Sequence, residues 1–129
     1  MSTFSVDLAN FGQTAIDNAE RITRKVVFDI HSRIVRRMPV DTGRARANTQ
    51  ISINTLPSGS TLEVDVTGHA TIASGDRELS RFELGDTAFI YNNVEYILAL
   101  EYGSSDQAPQ GMFRISFEEI AGQLQRGAV

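Results

Sequence analysis

Three patterns in this 129-residue chain predict an α+β fold, with a long N-terminal helix and a C-terminal helix packed on one face of a small antiparallel sheet. The first is an apolar series at steps of three and four, the spacing of one helix face: Leu8, Phe11, Ala15, Ala19, Ile22, Val26, Ile30, Ile34 and Met38. The second is a shift to period two after residue 43, where Ile51 and Ile53 alternate with Ser52 and Asn54. The third is a return to helical spacing at Phe113, Phe117, Ile120 and Leu124.

The first helix is expected over about residues 5–38. Ser2, Thr3 or Ser5 would cap it, Asp7 would sit in its first turn, and Gly12 would loosen its early turns. Pro39 ends it, because a proline disfavours helical geometry at the preceding Met38 and has no N–H to donate. Such a helix would run roughly 50 Å, longer than a domain of this size is wide, so part of it must project, bend or meet a neighbour. From Ile22 to Met38 the apolar residues advance by four. The buried stripe therefore winds around the helix and brings Arg33 and Arg37 to its edge, where their stems can pack while their heads reach water or an acidic partner.

Beyond Asp41-Thr42-Gly43, Asp41 or Thr42 is expected to cap a short helical turn beginning near Gly43, whose own backbone freedom suits the exit from the long helix. Ile51 and Ile53 are expected to form a hairpin with Leu62, Val64 and Val66, joined by the Pro- and Gly-containing loop 55–60. The stretch 70–84 offers only a weak helical pairing of Leu79 with Phe82. Residues 88–91 read as a third strand, residues 96–102 as a short helix or a strand, and residues 112–124 as a second helix. No repeat or internal boundary divides the chain, so residues 1–129 are read as a single domain. The irregular segment 103–110 is long enough to be a functional loop.

With 41% apolar and 22% charged residues, the chain can bury a core, which excludes disordered and fibrous classes. The absence of cysteine rules out disulfides, thiolate zinc sites and a cysteine nucleophile. The first residues lack a signal-peptide pattern, and the apolar runs are too short to span a bilayer, so a soluble protein without membrane contact is expected. The net charge of -4 conceals an asymmetry. Residues 21–46 carry Arg21, Arg24, Lys25, Arg33, Arg36, Arg37, Arg44 and Arg46 against Asp29 and Asp41, leaving an acidic remainder.

Asp41-Thr42-Gly43 is also the tripeptide with which aspartic proteases place a carboxylate, some of them as small homodimers. That chemistry needs two carboxylates on facing loops reached from apolar strands, whereas here the tripeptide follows a helix and precedes Arg44 and Arg46. His31 and His69 lack partners at metal-ligand spacing, and no phosphate loop, nucleophile elbow or dinucleotide fingerprint occurs. No catalytic residue, metal or cofactor is therefore expected. Glu118 and Glu119 are expected simply to solvate their helix. The basic segment could neutralise phosphates, but no aromatic platform or helix-turn-helix accompanies it, and the acidic remainder would repel a duplex.

One arrangement covers most of the chain. A long N-terminal helix leads to Asp41-Thr42-Gly43-Arg44-Ala45-Arg46-Ala47-Asn48 and a strand. Phe89-Ile90-Tyr91-Asn92-Asn93 and Tyr96-Ile97-Leu98-Ala99-Leu100-Glu101-Tyr102-Gly103 follow, then Gln107-Ala108-Pro109 and Gly111-Met112-Phe113-Arg114. In order and spacing this resembles the neck or tail-completion (head-tail connector) proteins of long-tailed bacteriophages and prophages. Members often carry a large aromatic residue where this chain has Ser104.

The resemblance implies a structural virion protein at the head-to-tail joint, made in the host bacterial cytoplasm. Its partners would be copies of itself in a ring, with six-fold symmetry expected, and phage head-completion and tail proteins. Genomic DNA would pass nearby, and no small-molecule substrate is implied. A tail terminator, another phage ring protein, would follow the same charge logic. On this reading Arg33, Arg36, Arg37, Arg44 and Arg46 supply charge complementarity to neighbours, and Ser104, Ser105, Asp106 and Gln107 form a contact loop whose deletion should spare the fold. Tyr96, Glu101 and Tyr102 would pack and pair beneath that loop, with Arg114 as the partner of Glu101; Pro39, Asp41, Thr42, Gly43, Gly103, Pro109 and Gly111 would shape the backbone.

Overall fold

The computed structural model describes residues 2–127, with side chains from residue 10 onward except that of residue 11. The elements are α1 (Ser2–Arg37), α2 (Arg44–Ala47), β1 (Gln50–Ile53), α3 (His69–Leu79), β2 (Ala88–Tyr91), α4 (Ile97–Glu101) and α5 (Phe113–Gln125). The fold is mixed helix and sheet, as the patterning predicts: long N-terminal and C-terminal helices with a small two-stranded antiparallel sheet packed against helices. The caps expected from Ser2, Thr3, Ser5 and Asp7, and the packing expected of Leu8 and Phe11, fall outside the described side chains.

Helix α1 passes through Gly12 without a break and is about 54 Å long at 1.5 Å per residue. It ends before Pro39, with the Met38 amide donating back to the carbonyl of Ile34 at 2.9 Å. Burial rises along it. Residues 13–18 are exposed, Val26 and Ile30 are half-buried, and Ile34, Val35 and Met38 are fully buried. Its later turns meet α3 and α5, His31 lying against Gly75 and Arg33 and Arg37 reaching Glu119, while the exposed turns lie toward its N-terminal end. That double flanking also buries His31 and Ser32, which a single apolar stripe does not select.

Ile34 and Met38 pack with Ala45 of α2, Val94 and Ala108 from the loops, and Met112 before α5. Fully burying an aliphatic chain of this size is worth about 2 kcal/mol, and Val35, Ile51, Leu79, Phe82 and Ile120 are buried outside this cluster. Strand β1 pairs with β2, setting Ile51 opposite Ile90 and Ser52 opposite Phe89.

The expected hairpin does not form. Residues 88–91 supply the second of two strands, while residues 55–65 adopt no regular structure. Two sets of side chains explain the choice. Asn54, at φ 65°, turns the chain away and binds the Thr87 backbone, donating its amide to Thr87 O at 2.7 Å and accepting from Thr87 N at 2.9 Å through Oδ1. The polar backbone groups of Thr61 are taken by Asn48, whose Oδ1 accepts from Thr61 N at 2.9 Å and whose Nδ2 donates to Thr61 O at 3.1 Å. An amide side chain has thus replaced a partner strand. Residues 69–79, weakly patterned in sequence, form α3. Residues 97–101 take the helical one of their two expected conformations.

Candidate functional site

Asp41-Thr42-Gly43 and the segment 103–110 converge on one surface cavity of about 510 Å³. Its lining includes Val40, Arg44, Tyr96, Leu100, Ser105 and Gln107. Gly43 is the hinge of this junction. It precedes α2 at φ 92°, and its carbonyl accepts from Ala47 N and Asp65 N, both at 3.0 Å. A Cβ at this position would lie 2.8 Å from the Asp65 carbonyl carbon and 2.9 Å from the Val66 nitrogen. The N-cap of α2 is Gly43 itself, without a side-chain cap bond, so neither Asp41 nor Thr42 is the expected cap; the Thr42 hydroxyl instead accepts locally from Arg44 N at 3.2 Å. Asp41 is exposed on a connection between two helices, a different setting from the strand-borne loop of a carboxylate dyad. Pro39 is buried at the turn out of α1.

On the far wall, Gln107 bridges the Val40 backbone, accepting from its N–H at 2.8 Å and donating to its carbonyl at 3.1 Å. The Ser105 hydroxyl accepts from Gln107 N at 3.2 Å. Segment 103–110 is therefore fastened to the end of α1. Deleting residues 104–107 would remove this latch from the end of α1. Ser104 and Asp106 remain exposed.

Glu101 is a heavily used carboxylate. It is 8% exposed, and it accepts from the backbone amides of Met112 at 3.0 Å, Phe113 at 2.8 Å and Arg114 at 3.1 Å. The Arg114 Nε adds a bond of 2.9 Å, making the expected pair. One side chain thereby satisfies amides that the start of α5 leaves free. Burial works to raise the Glu101 pKa, but the bonds from Phe113, Met112 and Arg114 outweigh it and hold the carboxyl below its usual value. Gly103 and Gly111, at φ 87° and 83°, let the chain double back here. A side chain at Gly103 would strike Pro109 O, and one at Gly111 would strike Glu101 O.

The tyrosines differ from expectation. Tyr102 is not beneath the loop: it is 72% exposed and covered by the Arg114 guanidinium, 4.7 Å from its ring centroid. Tyr96 is partly exposed on the cavity wall.

Four of the five arginines assigned to outside partners have partners within the chain. Arg33 and Arg37 both bind Glu119, at 2.8 and 2.5 Å, and Arg37 also donates to the buried Ser116 hydroxyl at 3.1 Å. Glu119 is therefore not a merely solvating residue. Hydrogen bonds from Arg37, then Arg33, bring its pKa down to about 2. Arg44 reaches Glu95 at 2.9 Å, Thr61 O and the Ser60 hydroxyl. Arg46 donates to the carbonyls of Met38, Val66 and Arg36. Of these five, only the Arg36 guanidinium has no polar partner among the described residues, and Arg36 is exposed.

Two features escape sequence reasoning. His31 is fully buried on α1. Its Nε2 lies 2.9 Å from Thr49 O, which fixes the proton there, while its Nδ1 has no partner among the described residues. Burial, only partly opposed by the Thr49 bond, pushes its pKa below the ordinary value, so the ring is neutral. It fits because Gly75 of α3 presents no side chain: a Cβ there would meet the imidazole at 2.7 Å. The second feature is an open apolar segment. Leu62, Val64 and Val66, expected in a hairpin, are exposed by 86, 58 and 56%. Their alternation is visible in the sequence, but their lack of a partner is not.

Chemically, the cavity offers hydrogen-bonding and aliphatic surface, and Asp41 is its sole carboxylate. No cluster of three or more metal-ligating side chains occurs among the described residues, and no described helix is long and apolar enough to cross a membrane. Comparison with family models, curated proteins and solved structures finds no match to the chain.

Proposed function

We propose that this chain is a structural subunit of a tailed-bacteriophage particle, a neck or tail-completion protein working in a ring at the head-to-tail joint. The observation that carries the reading is the exposed run Leu62, Val64 and Val66 on a segment without a partner strand. A monomer gains nothing by holding three alternating aliphatic side chains in water, whereas a subunit uses such a strip as contact surface. The resemblance of residues 41–48 and 89–114 to connector proteins names the kind of assembly. The use of Glu101, Gly103, Gln107, Pro109 and Gly111 as supports for the backbone favours a structural role for that motif.

Particles of the phage or prophage that encodes the chain provide the test. Mass spectrometry is expected to find the polypeptide in purified virions, and electron microscopy to place it as a ring between head and tail. Purified particles lacking the polypeptide would refute the proposal.

A further inference from the structure

Helix α1 is electrically divided. Residues 2–20 contain Asp7, Asp17 and Glu20 and no lysine or arginine, whereas residues 21–37 carry Arg21, Arg24, Lys25, Arg33, Arg36 and Arg37 against Asp29. The division matches a difference in packing, because residues 13–18 are exposed while the basic half is flanked by α3 and α5. Gln13, Ile16 and Asp17 share one side of the projecting part by their spacing, and Glu20, next along that side, already accepts from Leu84 N at 2.7 Å. Ile16 is 42% exposed there, and among the described residues the Asp17 carboxylate accepts only from Gln13, one turn earlier.

Along the basic half runs a groove between α1 and α3, made of two adjoining depressions of about 470 Å³ each that share Phe28 and Asp76. Phe28, Ile72 and Ala73 give it an apolar floor. Arg24, Lys25 and Arg36 stand around it against the single acid Asp76, with Lys25 held to Asp29 at 2.8 Å. Arg24 donates to Phe82 O, so of these three cations Arg36 is the one without a polar partner among the described residues.

We propose that this groove receives the projecting acidic half of α1 from a second copy of the chain. Ile16 lies over Phe28 and Ile72, and Asp17 meets Arg36. The occupant is an amphipathic helix with acidic flanks, set in an apolar groove with basic edges. This rests on the subunit reading above, to which it adds the contact used. Repeated in one direction around a closed circle, the contact builds a ring.

The absence of cysteine makes the test direct. Purified Gln13→Cys and Ala73→Cys chains are mixed under mild oxidation. A disulfide joining the two different chains is expected, and Gln13→Cys mixed with Ser58→Cys should give none. In sedimentation experiments on the cysteine-free protein, Asp17→Lys or Arg36→Glu alone should weaken self-association by about threefold to tenfold, and the two together should restore it. Both residues are exposed, and circular dichroism verifies that each variant folds. Equal cross-linking to Ala73 and Ser58, no cross-linking, or additive rather than compensating charge effects would overturn the contact. If virions contain the chain but these cross-links fail, the contact is wrong and the subunit reading stands. If cross-links form but virions lack the chain, the reverse holds.

Discussion

A single neutral imidazole gives the protein a pH dependence in a range where carboxylates do not titrate. His31 has its pKa depressed below the ordinary 6.5, so the unfolded chain binds a proton more readily than the folded one. Its contribution is complete above pH 6.5 and is lost as pH falls below that value. Chemical denaturation of the wild type should give a midpoint that declines between pH 7 and 5. His31→Gln, which can still donate to Thr49 O, should be flat over the same range. Gly43 makes a second demand. Valine there would combine a left-handed backbone with a clash against Asp65 and Val66, each worth about 1–3 kcal/mol. Gly43→Val should therefore lower the melting temperature by several degrees, and an unchanged value would contradict the hinge assignment.

Among the elements, α1 and α5 are legible in the sequence because each has a one-sided apolar period, and Pro39 marks the end of the first. The strands β1 and β2 are legible individually, but their pairing is not. Alternation at 62, 64 and 66 looks the same whether or not a partner exists, and the deciding contacts come from Asn48 and Asn54, residues that hydropathy ignores. Helix α3 is obscured by Gly75, which is there to accommodate His31. At the candidate site, the pairing of Glu101 with Arg114 can be read from the sequence. Its larger task of capping α5 depends on the reversal at Gly103 and Gly111 and cannot. Replacing Glu101 by Gln should cost about 2 kcal/mol, measured by urea unfolding at pH 7, because an amide offers one acceptor oxygen to donors that now share two. Acid should have a related effect. Glu101 and Glu119 both have lowered pKa values, so their stabilisation is present above about pH 4.5 and fades as pH falls through the folded-state values, about 2 for Glu119. The Glu119 pair is a third exposed, which limits it to about 1 kcal/mol after screening. Glu119→Gln should accordingly flatten only part of the acid limb.

For the whole molecule, the charge asymmetry in the sequence has two destinations. Much of it is spent internally, with Arg33 and Arg37 on Glu119 and Arg44 on Glu95, so the basic segment meets its acidic counterpart within one chain. The uncompensated part lies along α1. Apolar exposure is more widely spread: Leu62, Val64, Val66 and Ile16 are open to solvent, and so are Leu56, Leu84, Leu98, Phe117 and Leu124. Substituting Leu62 and Val64 by Ser should change folding stability by less than about 0.5 kcal/mol, since both are already solvated. The same substitutions should reduce the joining of heads to tails in an in vitro assembly assay, while wild-type levels of joined particles would remove this strip from the interface.

The bare turns at residues 13–18 have a kinetic consequence. Helical turns that bury no apolar surface draw little cooperative protection from the rest of the fold, and their amides open at low free energy. In the free protein, deuterium should enter residues 13–18 orders of magnitude faster than the amides around Ile34. A sharp slowing confined to those turns on assembly would time the moment at which one subunit is gripped by the next.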